Sequence, residues 1–196
     1  DDRDERIQLL ERCQKNALGL SEMTRDLLGL SRAEDSSWRP TPEVVELGQV
    51  CESVAVLLRK QSLAKGLELT VVATAVEIVV DRTALESVLT NLVDNAISYT
   101  EEGSVELRAD ITAEGIARFE VEDSGMGISK DILPRIFERF FRGDLAHGRK
   151  QGGTGLGLSI VRNQVNRMGG RVSVSTIPGE GSTFTVELPL SPARPL

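Results

Sequence analysis

The chain has 196 residues, of which 40% are hydrophobic and 27% are charged, as in ordinary globular domains. Its net charge of −7 and its pI near 4.9 argue against a nucleic-acid-binding protein, which normally presents a basic face. No apolar run approaches the roughly 20 residues of a membrane span, no signal peptide is apparent, and Cys13 and Cys51 are too few for a disulfide framework or a zinc site. We therefore expect a soluble protein of a reducing cytosol.

Serine and proline residues divide the chain at residues 36–42, SSWRPTP. We predict a helical segment at residues 1–36, a folded domain at residues 37–192 and a tail at residues 193–196. Small and apolar residues of the first segment recur at alternating spacings of three and four, with one place filled by a threonine: Leu10, Cys13, Ala17, Leu20, Thr24 and Leu27. This spacing favours the seam of a helical bundle over a plain amphipathic helix packed on its own domain.

The folded domain alternates amphipathic helices with short strands. Helices are predicted at residues 42–66, 82–100 and 156–170, with Gly66 and Gly169 as stop signals and a short helix or turn pair around Pro134. Strands are predicted at residues 67–73 and 77–81, and hairpins at residues 104–123 and 171–190, with turns near residues 113–115 and at a Pro-Gly pair. This order predicts an α+β fold: a two-layer α/β sandwich with a mixed, largely antiparallel sheet, preceded by the long bundle helix.

A glycine-rich stretch, GGTGLGLS at residues 152–159, leads directly into a predicted helix. It lacks the lysine of a P-loop and the G-x-G-x-x-G spacing of dinucleotide-binding proteins, and it follows a polar loop rather than a strand. Helix N-termini present N–H groups and partial positive charge to anions, and glycine lets phosphate oxygens approach them. The stretch therefore indicates a phosphate contact, with a flexible connector as the alternative.

Two further clusters carry polar side chains. NLVDN at residues 91–95 places Asn91 and Asn95 one turn apart in a mostly apolar helix, where asparagine is mildly unfavourable. Their amide oxygens suit a Mg²⁺ ion whose other ligands are phosphates and water, although an exposed polar face is the simpler alternative. DSGMGIS at residues 123–129 follows a predicted strand, and its glycines are also what an ordinary loop uses.

Taken in order, NLVDNAISYT, VEDSGMGIS, IFERFFRGD and GGTGLGLSIV resemble the N box, first glycine box, F box and second glycine box of sensor histidine kinases. The resemblance covers residues 40–190. The helix at residues 5–34 resembles the second helix of the family's dimerisation and histidine-phosphotransfer hairpin. The resemblance implies the ATP-binding fold shared with gyrase-type ATPases, with ATP and Mg²⁺ as ligands.

The resemblance also implies roles in catalysis and metal binding. Asn95 would be the Mg²⁺ ligand, assisted by Asn91. Residues 137–153 would form a mobile lid, from which Arg142 would reach toward the phosphates. Three glycines would present backbone N–H groups to the phosphates: Gly153, Gly155 and Gly157. Two further residues of the same loop, Thr154 and Leu156, would also bind the nucleotide.

The adenine base would lie against a second group of residues. Asp123 would accept a hydrogen bond from the adenine amino group, a contact that selects ATP over GTP. Gly125 and Gly127 would let the backbone pass close to the base. Three side chains would pack on the ring or line the pocket wall: Tyr99, Ile128 and Leu158.

This chain departs from the family pattern at two points. Many relatives have a basic residue where it has Ser98, and Arg149 or Lys150 in the lid is a candidate replacement. The family's acceptor histidine lies in a box beginning SHELRTPL on the first hairpin helix, and these 196 residues contain no such box. The single histidine, His147, lies in the lid, and we expect it to be an ordinary exposed residue with at most a minor binding role.

One position separates a kinase from a hydrolase. Gyrase-type ATPases place a glutamate four residues before the Mg²⁺-binding asparagine, as the general base for water, and this chain has Asn91 there. An amide cannot take a proton at pH 7, so transfer to an already nucleophilic histidine is favoured over hydrolysis.

The resemblance implies a histidine protein kinase domain. Its γ-phosphoryl group would pass to a histidine on a dimerisation helix outside these residues, and then to an aspartate of a response-regulator receiver domain. A cytoplasmic location, a homodimer formed through the bundle, and membrane attachment only through upstream segments are further expectations. Two alternatives remain on the same fold: an ATP-dependent switch or anti-sigma-type serine kinase, distinguished by the phosphorylated residue, and a binding module without turnover, tested by nucleotide titration.

Overall fold

The structure, a computed structural model, describes residues 39–143 and 154–190 together with the single positions Arg6, Leu9, Leu10 and Cys13. At those four positions the backbone is helical and the side chains are exposed. The predicted bundle seam, the domain boundary after residue 36 and the tail lie outside the described residues and stay predictions. In the described part of the chain, no helix has the length and apolar character for crossing a bilayer.

The helices and strands of the described residues follow the predicted order. The helices are α1 (Leu47–Ala64), α2 (Arg82–Tyr99) and α3 (Gly157–Arg167), with a 3₁₀ turn at Leu133–Arg135. The strands are β1 (Glu43–Glu46), β2 (Glu68–Ala73), β3 (Glu77–Val80), β4 (Ser104–Ile111), β5 (Ile116–Asp123), β6 (Arg171–Ile177) and β7 (Gly181–Pro189).

Five of the strands form the main sheet in the order β2-β4-β5-β7-β6. Strand β2 runs parallel to β4, and the other three pairings are antiparallel. The two predicted hairpins are present, and Gly115 and Gly179 supply the positive φ angles, 74° and 87°, that their turns require. The expected mixed, largely antiparallel sheet is confirmed.

The three helices cover one face of this sheet, which confirms the two-layer sandwich. Alternate residues of the central strands point into the core and are fully or almost fully buried, as period-two strands require: Val105, Leu107, Ala109, Ala117, Phe119, Val121, Val186 and Leu188. Helix α2 lies between α1 and α3 and also contacts β4 and β5. The opposite face of the sheet carries exposed ion pairs such as Arg118–Asp110 at 2.8 Å, which contribute little to stability.

Both ends of α2 are held by charged side chains. At its start, the Asp81 carboxylate accepts hydrogen bonds from the backbone N–H groups of Ala84 and Thr41, each at 2.8 Å. At its end, the Lys65 ammonium group donates to three carbonyl oxygens around the helix C-terminus, those of Ile97 (2.7 Å), Ser98 (2.8 Å) and Thr100 (3.3 Å). These contacts fix the helix that carries the two asparagines.

The first helix of the domain begins later than predicted. Residues 43–46 form strand β1, which pairs antiparallel with β3, so the expectation of one helix from residue 42 is wrong at its start. Val44 is exposed and Val45 is buried, an alternation that four residues of a strand satisfy as well as a helix does. The pairing with β3, more than thirty residues later in the chain, is a tertiary contact that local periodicity does not contain.

Candidate functional site

The two asparagines of α2 lie beside the first residue of α3. A Cβ atom at Gly157 would lie 2.9 Å from Asn91 Oδ1 and 3.9 Å from Asn95 Nδ2. The Asn91 Nδ2 group donates to the Ser87 carbonyl oxygen at 2.8 Å, so its Oδ1 atom is the one turned toward Gly157. A side chain at position 157 would displace the Asn91 amide, so glycine there leaves room for this amide beside the start of α3.

The approach to α3 uses a second glycine for a similar reason. Gly155 has φ of 74°, and a Cβ atom there would lie 2.8 Å from the Phe140 carbonyl carbon. Its carbonyl oxygen accepts a hydrogen bond from Phe140 N at 2.9 Å. Leu156, the N-cap residue of α3, has no side-chain acceptor for the first-turn N–H groups, and Thr154 Oγ1 accepts instead from Leu156 N at 3.2 Å. The positive end of the helix dipole thus lies next to the asparagine pair.

Asp123, at the end of β5, is the buried carboxylate of the site and is 8% exposed. Its Oδ1 atom accepts a hydrogen bond from Gly125 N at 2.9 Å. Burial raises the pKa of Asp123 above its usual 3.8, and the N–H groups of Gly125 and Ser182 offset part of this effect. A carboxylate held in this way remains an acceptor that can bind one further donor group.

The loop after Asp123 passes through a gap that only glycine fits. A Cβ atom at Gly125 would lie 2.5 Å from the Tyr99 carbonyl oxygen, and one at Gly127 would lie 2.2 Å from the Ile177 carbonyl oxygen. Gly127 also has φ of 64°, which favours glycine in any surroundings. Residues 124–128 are therefore held between the end of α2 and the hairpin of β6 and β7.

Helix α2 connects the two groups of predicted site residues. Asn95 and Tyr99 are one turn apart on it, so the helix contributes to the asparagine pair and to the Asp123 loop. Tyr99 is half exposed, and its carbonyl oxygen accepts from Met126 N at 3.4 Å. Ile128 in the loop and Leu158 in the first turn of α3 are both half-buried. The predicted base-packing residues therefore come from three segments: the end of α2, the loop after β5 and the start of α3.

The segment predicted as the first part of the lid packs on the domain. Phe137 lies edge-on to Phe184, with ring centroids 6.5 Å apart, and the Arg162 guanidinium carbon lies 5.8 Å from the Phe137 ring centroid. Phe140 has φ of 59°, the one positive value at a described residue other than glycine. Arg142 is exposed at the end of this segment. The predictions for Gly153, His147, Arg149 and Lys150 lie outside the described residues.

Sequence reasoning missed two side chains that hold the site. One is Lys65, whose Nζ group donates three hydrogen bonds to carbonyl oxygens at the end of α2. The other is Thr176 on β6, whose Oγ1 atom accepts from Ile128 N at 2.9 Å. Neither contact has a sequence signal, because each joins residues more than thirty positions apart.

The part of the chain that carries the candidate site matches a known protein family. Residues 80–192 match the model of the family described as histidine kinase-, DNA gyrase B-, and HSP90-like ATPases. The matched span includes the asparagine pair, Asp123, Gly125, Gly127, Gly155 and Gly157. The chain belongs to this ATPase family.

Similar proteins within the family are sensor proteins. The sensory/regulatory protein RpfC of Xanthomonas campestris is 35% identical over 200 residues, which cover 98% of this chain and 28% of RpfC. The sensor histidine kinase GacS of Pseudomonas protegens is 32% identical over 188 residues, covering 92% of this chain and 20% of GacS. The chain therefore spans less than a third of either relative. The resemblance to the catalytic portion of sensor histidine kinases is confirmed.

A solved structure of the family shows the same fold. Full-length ShkA in complex with AMPPNP matches with a TM-score of 0.80 at 29% identity, over 98% of this chain and 40% of the ShkA chain. The match confirms the sandwich of this ATPase family.

The raised pKa of Asp123 predicts a pH-dependent effect on stability. The carboxyl group binds its proton more tightly in the folded than in the unfolded chain, so its ionisation lowers the free energy of unfolding as pH rises from 3.8 through the folded pKa. Asn cannot ionise, and the free energy of unfolding of Asp123→Asn minus that of the wild type should increase across this window and be constant above it. Urea denaturation at a series of pH values checks this. A difference that is independent of pH, or that decreases as pH rises, contradicts it.

Proposed function

We propose that this chain binds ATP with Mg²⁺ and is the catalytic domain of a sensor histidine kinase, transferring the γ-phosphoryl group to a histidine on a dimerisation helix. The observation that carries the proposal is the contact of Asn91 and Asn95 with the glycine that starts α3. This contact brings neutral oxygen ligands next to the positive end of a helix, which is what a metal-bound phosphate chain needs.

The residues present fit both ligands. Cβ atoms at Gly125, Gly127, Gly155 and Gly157 would all lie within 3.0 Å of neighbouring atoms, so glycine at these four positions lets the two loops pack closely against the rest of the site. The Asn91 oxygen already points toward Gly157, and rotation about the last side-chain torsion of Asn95 would bring its oxygen to the same place. Amide oxygens of this kind match the preference of Mg²⁺ for hard ligands.

Each residue has a distinct part in the proposed reaction. Bound ATP would supply the γ-phosphoryl group, and Mg²⁺ would neutralise the charge of its oxygens. Asn95, assisted by Asn91, would hold the ion, while N–H groups of residues 153–157 would orient the phosphates. Arg142 would stabilise the charge that develops during transfer. Positioning and charge stabilisation supply most of the catalysis in such reactions, since little covalent chemistry is left for the protein.

Asp123 would select the base. Its carboxylate would accept a hydrogen bond from the amino group of adenine, whereas guanine carries a carbonyl oxygen at that position and would be repelled. Because the carboxylate is buried, this repulsion would be weakly screened by water. The side chains of Tyr99, Ile128 and Leu158 would pack on the ring.

An asparagine in place of a general base at position 91 favours transfer over hydrolysis at the proposed metal site. Asn91 occupies the position of the hydrolytic glutamate, and its Nδ2 group is bound to the Ser87 carbonyl oxygen. Its amide cannot accept a proton from water at neutral pH. A neutral imidazole needs no such activation, so a histidine is a suitable acceptor.

The partners of the reaction follow from the same proposal. Similarity to RpfC and GacS, which are named as sensor proteins, supports relay of the phosphoryl group to a response-regulator aspartate and a homodimer of the whole protein. We also propose a cytoplasmic location, where ATP is available.

The first experiment measures nucleotide affinity by calorimetry. Wild-type protein should bind Mg²⁺–ATP more tightly than Mg²⁺–GTP. Asp123→Ala should lose most of this preference, and Asn95→Ala should weaken Mg²⁺–ATP binding about tenfold or more, since each change removes a charged or metal-mediated contact.

Asp94→Ala is the matched control for Asn95→Ala, because Asp94 is the preceding residue of α2 and its Oδ1 atom accepts from Gln61 Nε2 at 2.7 Å in an exposed pair. Its nucleotide affinity should equal that of the wild type. Equal ATP affinity in the wild type, Asp123→Ala and Asn95→Ala would remove the basis of the proposal.

The second experiment identifies the phosphorylated residue. Incubated with ATP alone, the chain should neither label itself nor hydrolyse ATP rapidly. Supplied with a separate dimeric helical hairpin that carries an acceptor histidine, it should produce an acid-labile, base-stable phosphate on that hairpin. Transfer should persist in His147→Ala and be lost in Asn95→Ala.

Two results of this experiment oppose the proposal. Acid-stable phosphate on serine would identify a serine kinase of the same fold. Loss of transfer in His147→Ala with ATP binding intact would make His147 part of the reaction.

A further inference from the structure

Thr176 joins the hairpin of β6 and β7 to the loop that follows Asp123. It is half-buried near the end of β6, and its Oγ1 atom accepts a hydrogen bond from the Ile128 N–H group at 2.9 Å. The same oxygen donates to the Gly181 carbonyl oxygen at 3.0 Å. Ser182 Oγ also lies 3.0 Å from it, and since the Thr176 proton is used on Gly181, Ser182 is the donor. The hydroxyl group thus has one donated and two accepted bonds.

The partners of Thr176 all lie at the proposed base site. In the sheet register, Thr176 pairs with Ser182, and Ser182 pairs with Asp123, so the three residues form a row across β6, β7 and β5. The Ser182 N–H group bonds to the Asp123 carboxylate. The Ile128 N–H group belongs to the loop that Asp123 begins. Thr176 therefore contacts both the loop and the strand residue that hold the carboxylate in place.

The remaining contacts of the loop explain why one hydroxyl group matters. The Met126 carbonyl oxygen accepts from Gly179 N at 2.8 Å, and Met126 N donates to the Tyr99 carbonyl oxygen at the long distance of 3.4 Å. Gly127, between these contacts and Ile128, has a left-handed φ and lies against the Ile177 backbone. The bond to Thr176 is the side-chain contact that fixes the loop just beyond its glycine.

We propose that Thr176 is a positioning residue for base recognition: through its hydroxyl group it holds the loop of residues 124–128 at the distance from Asp123 that adenine requires. The inference rests on the proposed function and deepens it. Thr176 does not touch the nucleotide in this account. Its effect reaches the base through Ile128 and through Ser182.

The test compares variants that differ in this hydroxyl group. Thr176→Val keeps the shape and the strand preference but leaves the Ile128 N–H group without its acceptor, whereas Thr176→Ser keeps the hydroxyl group. Thr185→Val makes the same change on β7, on the opposite face of the sheet, and is the matched control. The Ile128 amide should exchange with solvent about tenfold faster in nucleotide-free Thr176→Val, as expected for the loss of one buried hydrogen bond.

The second readout is base selectivity. The ratio of ATP to GTP affinity, measured by calorimetry, should fall about tenfold in Thr176→Val and stay at the wild-type value in Thr176→Ser and Thr185→Val. Wild-type exchange and an unchanged ratio in Thr176→Val overturn the proposal. An equal loss for both nucleotides also overturns it, because it indicates general loosening of the domain.

Two further outcomes remain decisive. If the wild type binds neither nucleotide, the proposed function fails, while exchange of Ile128 in the nucleotide-free protein still decides whether Thr176 fixes the loop. If Thr176→Val does not fold, Thr176→Ala provides the same two measurements, with the same results supporting or opposing the proposal.

Discussion

The close contact between the start of α3 and the amide of Asn91 is the constraint on which the site depends. The contact depends on glycine at position 157, because a Cβ atom there would lie 2.9 Å from Asn91 Oδ1 and would displace this amide from the start of α3. It also requires α2 to be fixed along its axis, which Asp81 and Lys65 achieve from its two ends. Burial of the apolar face of α2 against the sheet supplies the stability, since residues such as Leu85, Leu89 and Val93 are fully buried.

The candidate site has two different electrostatic environments, one at the start of α3 and one at the end of β5. At the start of α3, the neutral amide oxygen of Asn91 lies next to the positive end of a helix, an arrangement that suits a metal ion with phosphates. At the end of β5, a buried carboxylate is held by N–H groups of Gly125 and Ser182, and burial raises its pKa. A ligand with an anionic chain at one end and a flat base bearing an amino group at the other matches both, and ATP is such a ligand.

Local signals in the sequence predicted most elements, because hydrophobic period, turn glycines and helix stops are local properties. The asparagine pair could also be chosen from the sequence, since amides in an apolar helix are unfavourable, whereas the role of Asp123 was implied by the resemblance to sensor histidine kinases. The local pattern predicts a helix where strand β1 lies, because the pairing of β1 with β3 joins residues that are distant in sequence. The contacts of Lys65 and Thr176 could not be predicted from the sequence. Lys65 binds the end of α2 and Thr176 binds the loop after β5, and only the folded chain brings these segments to the two side chains. The roles of residues 144–153 stay predictions.

Replacement of Gly157 by alanine tests the central claim most directly, because it adds one methyl group at the contact between α3 and Asn91. Gly48→Ala is the matched control: Gly48 is the second residue of α1, and its Cβ atom would meet Glu46 Oε1, at 3.0 Å, rather than an asparagine of the site. Calorimetry should show Mg²⁺–ATP affinity about tenfold or more weaker in Gly157→Ala, with cooperative unfolding retained, and wild-type affinity in Gly48→Ala. Wild-type affinity in a folded Gly157→Ala protein would contradict the account.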